Sequence, residues 1–193
     1  MGVDIHGNKK ILGFIESASE AKLVIIDLLK DLESRGLNSL DKILYIIDGS
    51  KGLSSGIRKH IGKFAQIQRC MWHKRENVLS YLGKKEQDHM RKKLQHAYER
   101  PSYDEAREEL NKIATELKNT NTNAYESLQE GLEETLTLHS LGEFGRIGKS
   151  FKTTNCLESF NKQLEVYTSR VCKWKNSDQR SDLSGAIKEI LCS

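Results

Sequence analysis

One proline, Pro101, stands in 193 residues, and the longest clean apolar run is Ile43–Ile47. A bilayer span needs about 20 apolar residues, which excludes a membrane-spanning helix. Lys9 and Lys10 precede Ile11–Ile15, but that stretch is too short for a secretory core and has no small-residue cleavage pattern, so an intracellular protein is expected. The four cysteines, Cys70, Cys156, Cys172 and Cys192, form no Cys-x-x-Cys pair, and reduced thiols are expected rather than a disulfide framework. There is no P-loop, no Gly-x-Gly-x-x-Gly, no Gly-x-Ser-x-Gly and no two-pair Cys/His finger. Repeats and low-complexity tracts are also lacking.

What is present is a soluble globular composition, 37% hydrophobic and 30% charged, with a net charge of +4. The length suits one domain with an insertion, or a domain with a small appendage. The charge is unevenly placed. Residues 1–50 hold 6 basic and 8 acidic groups, residues 51–100 hold 13 and 4, residues 101–139 hold 3 and 9, and the rest hold 9 and 6. The basic block fits either the electrostatic footprint of a polyanion partner or a solvated helix face, and charge alone favours the face.

Val3 and Ile5, the turn residues His6-Gly7-Asn8 and the run Lys10–Ile15 predict a β-hairpin. Ser17 and Glu20 fit a capping box, with Ala21, Val24, Ile25, Leu28, Leu29 and Leu32 at helical spacing and Gly36 as the stop. Ile43–Ile47 reads as a strand buried on both faces, ending at Asp48. Strand, helix and strand in this order predict an α/β layer with a parallel pair. The alternation continues with a loop at 49–52, a helix over 54–61, a strand over 65–70 and a helix over 71–82 stopped by Gly83. Residues 84–138 carry no strand signal and read as a helical insertion. Within it Ser102-x-x-Glu105 caps a helix bearing Tyr103, Ala106, Leu110, Ile113 and Leu117, and Pro101 marks a helix junction. Residues 141–150, with three glycines, read as a loop, and Asn155 opens a further helix. The expected divisions are 1–83, 84–138, 139–176 and a weakly patterned tail, 177–193.

Asp48 follows a strand and precedes a glycine, which puts a carboxylate at the carboxyl edge of a sheet, where open α/β folds bind ligands. Capping of Gly49-Ser50 explains the same residue equally well. Glu158 lies on a polar stripe with Asn161 and Glu165, and a capping box from Asn155 accounts for it without any chemistry. Cys70-x-x-His73 is half a zinc site by spacing, with no second pair to complete it. Cys70 and His73 read as packing groups, with His73 also placed to meet phosphate, and Trp72 between them reads as a core anchor.

Three segments taken in order carry a resemblance: Asp48-Gly49-Ser50-Lys51-Gly52-Leu53, Gln68-Arg69-Cys70-Met71-Trp72-His73-Lys74-Arg75, and Thr154-Asn155-Cys156-Leu157-Glu158-Ser159-Phe160-Asn161. Together they resemble the catalytic core of Mutator-type bacterial insertion-sequence transposases, over residues 2–176. The resemblance implies a mixed α/β ribonuclease-H-like sheet with a helical insertion. It makes Asp48 the second aspartate and Glu158 the glutamate of an Asp-Asp-Glu triad, with Cys70 and His73 as the accompanying Cys-x-x-His motif. The implied chemistry is phosphodiester hydrolysis and strand transfer using two Mg²⁺, with Mn²⁺ as an alternative, held by Asp48 and Glu158. His73 then supports the scissile phosphate, while Cys70, too soft for Mg²⁺, packs. DNA is the implied partner, met by Lys51, Arg69, Lys74, Arg75, Lys152, Asn155 and Asn161. A homo-oligomer in the bacterial cytoplasm, associated with the nucleoid, is also implied.

The family's first catalytic aspartate belongs on a strand before the hairpin, and Asp4 does not take its place. A truncated element or reading-frame fragment is therefore expected, with little or no strand transfer by this chain alone. A non-catalytic remnant that binds DNA or a full-length transposase is the alternative.

Overall fold

In the computed structural model, which describes residues 1–13, 21–39 and 41–152, Gly2–Val3 (β1) and Lys9–Lys10 (β2) pair antiparallel. The hairpin is shorter than its alternation predicts because the turn starts at Asp4. Its carboxylate accepts the backbone N–H groups of His6 and Asn8, each at 2.9 Å, and the Asn8 side-chain amide at 2.8 Å. Ile5 is left 96% exposed at the tip. The capping box expected at Ser17 and Glu20 lies outside the described residues. The helix it would start is present as Ala21–Ser34 (α1), burying Ile26 and Leu29, and Gly36 follows at φ +101°.

Leu44–Ile47 (β3), Lys51–Ile61 (α2) and Gln66–Arg69 (β4) form a strand–helix–strand unit. The strands pair in parallel, from Leu44 opposite Gln66 to Ile47 opposite Arg69. The expected burial of β3 on both faces is not found: Ile47 alone is buried and Leu44, Tyr45 and Ile46 are half-buried. Among the described residues β3 has one ladder neighbour, and the hairpin forms a separate two-stranded sheet. Packing comes mainly from the helical side, where Leu29, Ile47, Ile57 and Ile67 form one apolar cluster. There α1 and α2 meet at Gly56, where an added Cβ would collide with the Ile25 side chain and lie 2.7 Å from the Lys22 carbonyl oxygen.

Helices then run to the end of the described chain: Met71–Leu79 (α3), Lys84–Tyr98 (α4), Tyr103–Thr120 (α5), Thr122–Gln129 (α6), Leu132–Thr135 (α7), Thr137–Ser140 (α8) and Phe144–Phe151 (α9). The Ser102 cap forms as expected, its hydroxyl accepting the Glu105 N–H at 3.3 Å. The loop expected over 141–150 is instead mostly α9. Gly142 makes the break at φ +70°, and the Phe144 ring then stacks on His139 with centroids 3.8 Å apart, anchoring the new helix. Packing, not glycine content, decides that segment.

The helical region is built onto the sheet. Gln68 of β4, fully buried, donates to the Thr135 carbonyl at 2.8 Å and accepts the Leu138 N–H at 2.9 Å, while the Thr137 hydroxyl donates to the Ile67 carbonyl at 2.6 Å. The Thr137 bond satisfies one backbone carbonyl on the outer side of β4, and the two Gln68 bonds tie that strand's side chain to the helices. Met71, Val78, Leu79 and Leu82 share one apolar cluster with Leu94, Leu110, Leu117 and Leu128. The chain is thus a mixed α/β protein, mostly helical, and no described helix is long and apolar enough to cross a membrane.

Candidate active site

The carboxyl ends of β3 and β4 bring two of the singled-out segments together. The Ile47 carbonyl accepts the Cys70 N–H at 2.8 Å, so Asp48 and Cys70 leave neighbouring strand ends side by side. Asp48 is exposed, and one of its carboxylate oxygens accepts the Ser50 N–H at 3.0 Å. The local capping role is therefore real, and among the described residues it engages one carboxylate oxygen. Lys51, also exposed, opens α2 directly after it. Cys70 is wholly buried ahead of α3, its thiol closed off from solvent.

The Met71 N–H donates to the Lys152 carbonyl at 2.9 Å, which returns the far end of the described chain to this edge. The Lys152 ammonium lies 3.7 Å from Glu99. His73 is half-buried and meets the Trp72 ring edge-on, centroids 4.9 Å apart at 79°. Trp72 is not the core anchor expected: it is 43% exposed, and Met71 takes the buried place on that turn. Arg75 pairs with Glu76 at 3.0 Å. Glu158, Asn155 and Asn161 lie outside the described residues. Among the described residues no three His, Cys, Asp or Glu side chains group as a metal site. Asp48 supplies hard oxygen donors suited to Mg²⁺, and the sealed thiol of Cys70 does not.

Two of the basic residues expected at phosphate are turned inward. Arg69, whose side chain is 5% exposed, reaches Glu130 at 2.8 Å and Glu134 at 3.0 Å. Lys74 is buried and donates to the Ser127 carbonyl at 2.8 Å, to the Glu130 carbonyl, and to the Glu130 carboxylate at 3.2 Å. Glu134 also accepts from Ser54 at 2.7 Å and Arg58 at 2.9 Å. Burial by itself raises a carboxyl pKa, but the Ser54 and Arg58 hydrogen bonds and the Arg69 charge hold Glu134 below the ordinary glutamate value. Glu130 is likewise lowered, burial being outweighed by the Arg69 hydrogen bond and the Lys74 charge. Burial pulls Lys74 below the usual lysine value despite its Glu130 partner.

This network was not foreseen from sequence. The signal was there in the charge blocks: a basic stretch followed by an acidic one can neutralise each other across an interface, a third reading beside polyanion footprint and solvated face. Gly131 completes the arrangement. At φ +69° it lies under the Arg69 guanidinium, and an added Cβ would sit 2.5 Å from Arg69 Cζ. Gly131→Ala is expected to destabilise the fold by about 1–3 kcal/mol, through left-handed strain and displacement of Arg69. Urea unfolding would measure it, and an unchanged midpoint would contradict this packing.

A family model described as "Transposase, Mutator family" matches residues 1–184. The transposase for insertion sequence element ISRM5 of Rhizobium meliloti (strain 1021) is 29% identical over 178 residues, covering 92% of this chain and 44% of that protein. The transposase for IST2 of Acidithiobacillus ferrooxidans is 26% identical, covering 96% of this chain and 60% of its own length. The transposase for IS256 in transposon Tn4001 of Staphylococcus aureus is 25% identical, covering 97% and 47% respectively. The chain spans about half the length of the curated relatives it matches. No solved structure matches.

Proposed function

Because the chain belongs to the Mutator family of transposases, we propose that it forms part of a ribonuclease-H-like catalytic core acting in DNA transposition, with Asp48 and Glu158 as two of its metal-holding carboxylates. One observation carries this reading. Asp48 stands exposed at the carboxyl edge of the parallel pair, and the bond from Met71 to Lys152 returns the chain to that edge six residues before Glu158. Six residues can span up to about 21 Å, a length that permits Glu158 to reach the Asp48 edge.

Bound Mg²⁺ or Mn²⁺ would activate an attacking oxygen and offset charge on the leaving oxygen of a phosphodiester. The chain's own part is to hold and orient. Asp48, exposed at the edge, is oriented by the Ser50 N–H on one of its oxygens. Lys51, Arg75 and Lys152 with Asn155 and Asn161 would meet the DNA backbone, and His73 would support the scissile phosphate. Arg69 and Lys74 are left out of this set, because their donors are consumed by buried glutamates and backbone carbonyls.

An oligonucleotide strand-joining assay with Mg²⁺ or Mn²⁺ tests the proposal. Metal-dependent joining or nicking lost in Glu158→Gln supports the catalytic reading and overturns the expectation of little or no strand transfer by this chain alone. Salt-dependent DNA binding with no metal-dependent chemistry would leave a binding module only.

A further inference from the structure

Trp72 is one of two tryptophans in the chain, and the residue is 43% exposed while its neighbours Met71 and Lys74 are buried. A tryptophan brings the largest apolar surface of any side chain, so leaving it in water forgoes stability the core could have used. Its ring is nevertheless set in place by the edge-on contact with His73. Position adds the second observation. Cys70, two residues earlier, is bonded to the Ile47 carbonyl beside Asp48. Neighbouring strands lie about 4.8 Å apart and two helical residues add about 5.4 Å, which places the Trp72 backbone within roughly 10 Å of Asp48. At about 3.4 Å of rise per nucleotide in a duplex strand, that separation spans no more than a few nucleotides. Lys51, exposed at the same edge, supplies a cation for the intervening backbone.

We propose that Trp72 is a stacking platform for a nucleobase next to the phosphate at Asp48, a positioning residue for the reacting strand. This rests on the DNA-processing role proposed above. An indole face can take only a base whose own face is free, so the ligand it selects is a single-stranded or frayed DNA end rather than continuous duplex.

The test uses the 193-residue chain carrying Trp174→Phe, which leaves Trp72 as the sole tryptophan. Titration with an oligothymidine strand should quench its fluorescence. Trp72→Ala should weaken single-strand binding by about 5–150-fold, with Trp72→Phe recovering most of the loss and duplex binding changing less. If the alanine variant fails to fold, the quench and the phenylalanine variant decide. Binding without quench, or equal affinity in all three proteins, overturns the stacking role and leaves the DNA-processing reading standing. Failure of the parent chain to bind either DNA form overturns both.

Discussion

Glu134→Ala is expected to cost about 3–5 kcal/mol of stability, the usual loss when one member of a buried ion pair is removed and its partner stays behind. For a chain of this size that lowers the thermal midpoint by roughly 6–20 °C. The loss is large because Glu134, whose side chain is 13% exposed, is the shared acceptor for Arg58, Arg69 and Ser54. Truncating it strands the Arg69 guanidinium beneath the helical region with Glu130 as its remaining acidic partner among the described residues. Arg69→Met with Glu134→Leu should recover much of the deficit, since the buried charge leaves with its partner.

The network also sets an acid limit. The folded pKa of Glu134 lies below 4.5, so the stability it adds is present above that value and is lost as pH falls through the depressed folded value. Urea midpoints of the parent should therefore fall below about pH 4.5, and Glu134→Ala should flatten that fall. A Glu134→Ala change under about 0.5 kcal/mol, typical of an unremarkable surface substitution, would show that the helical region does not depend on these ion pairs.

Much of the local structure was legible because it is written in short-range chemistry. The α5 cap at Ser102, the stop at Gly36 and the β-branched run before Asp48 each involve neighbours a few residues apart, and each appears where predicted. The failures share a cause. The hairpin shortened because the Asp4 side chain captured the turn, α9 formed because Phe144 found His139, and Trp72 stayed outside because Met71 filled the core. In each case a tertiary partner or a competing side chain outweighed local pattern. Arg69 and Lys74 show the same limit at the site: a basic residue in a motif reads as phosphate-facing until the glutamates more than fifty positions later are placed against it. Asp48 was legible because its place is fixed by the strand that precedes it.

Asp48 and Glu158 are proposed to share one cation environment, and Mn²⁺ affinity followed by electron paramagnetic resonance tests this directly. The chain, Asp48→Asn, Glu158→Gln and the double variant would be titrated under identical conditions. Removing either carboxylate ligand should weaken Mn²⁺ binding by at least about tenfold, and the double variant should bind little worse than the weaker single one, as for two groups acting on the same ion. Affinity that neither substitution changes, losses that simply add as at independent sites, or an unaltered chain that binds no Mn²⁺ would contradict it.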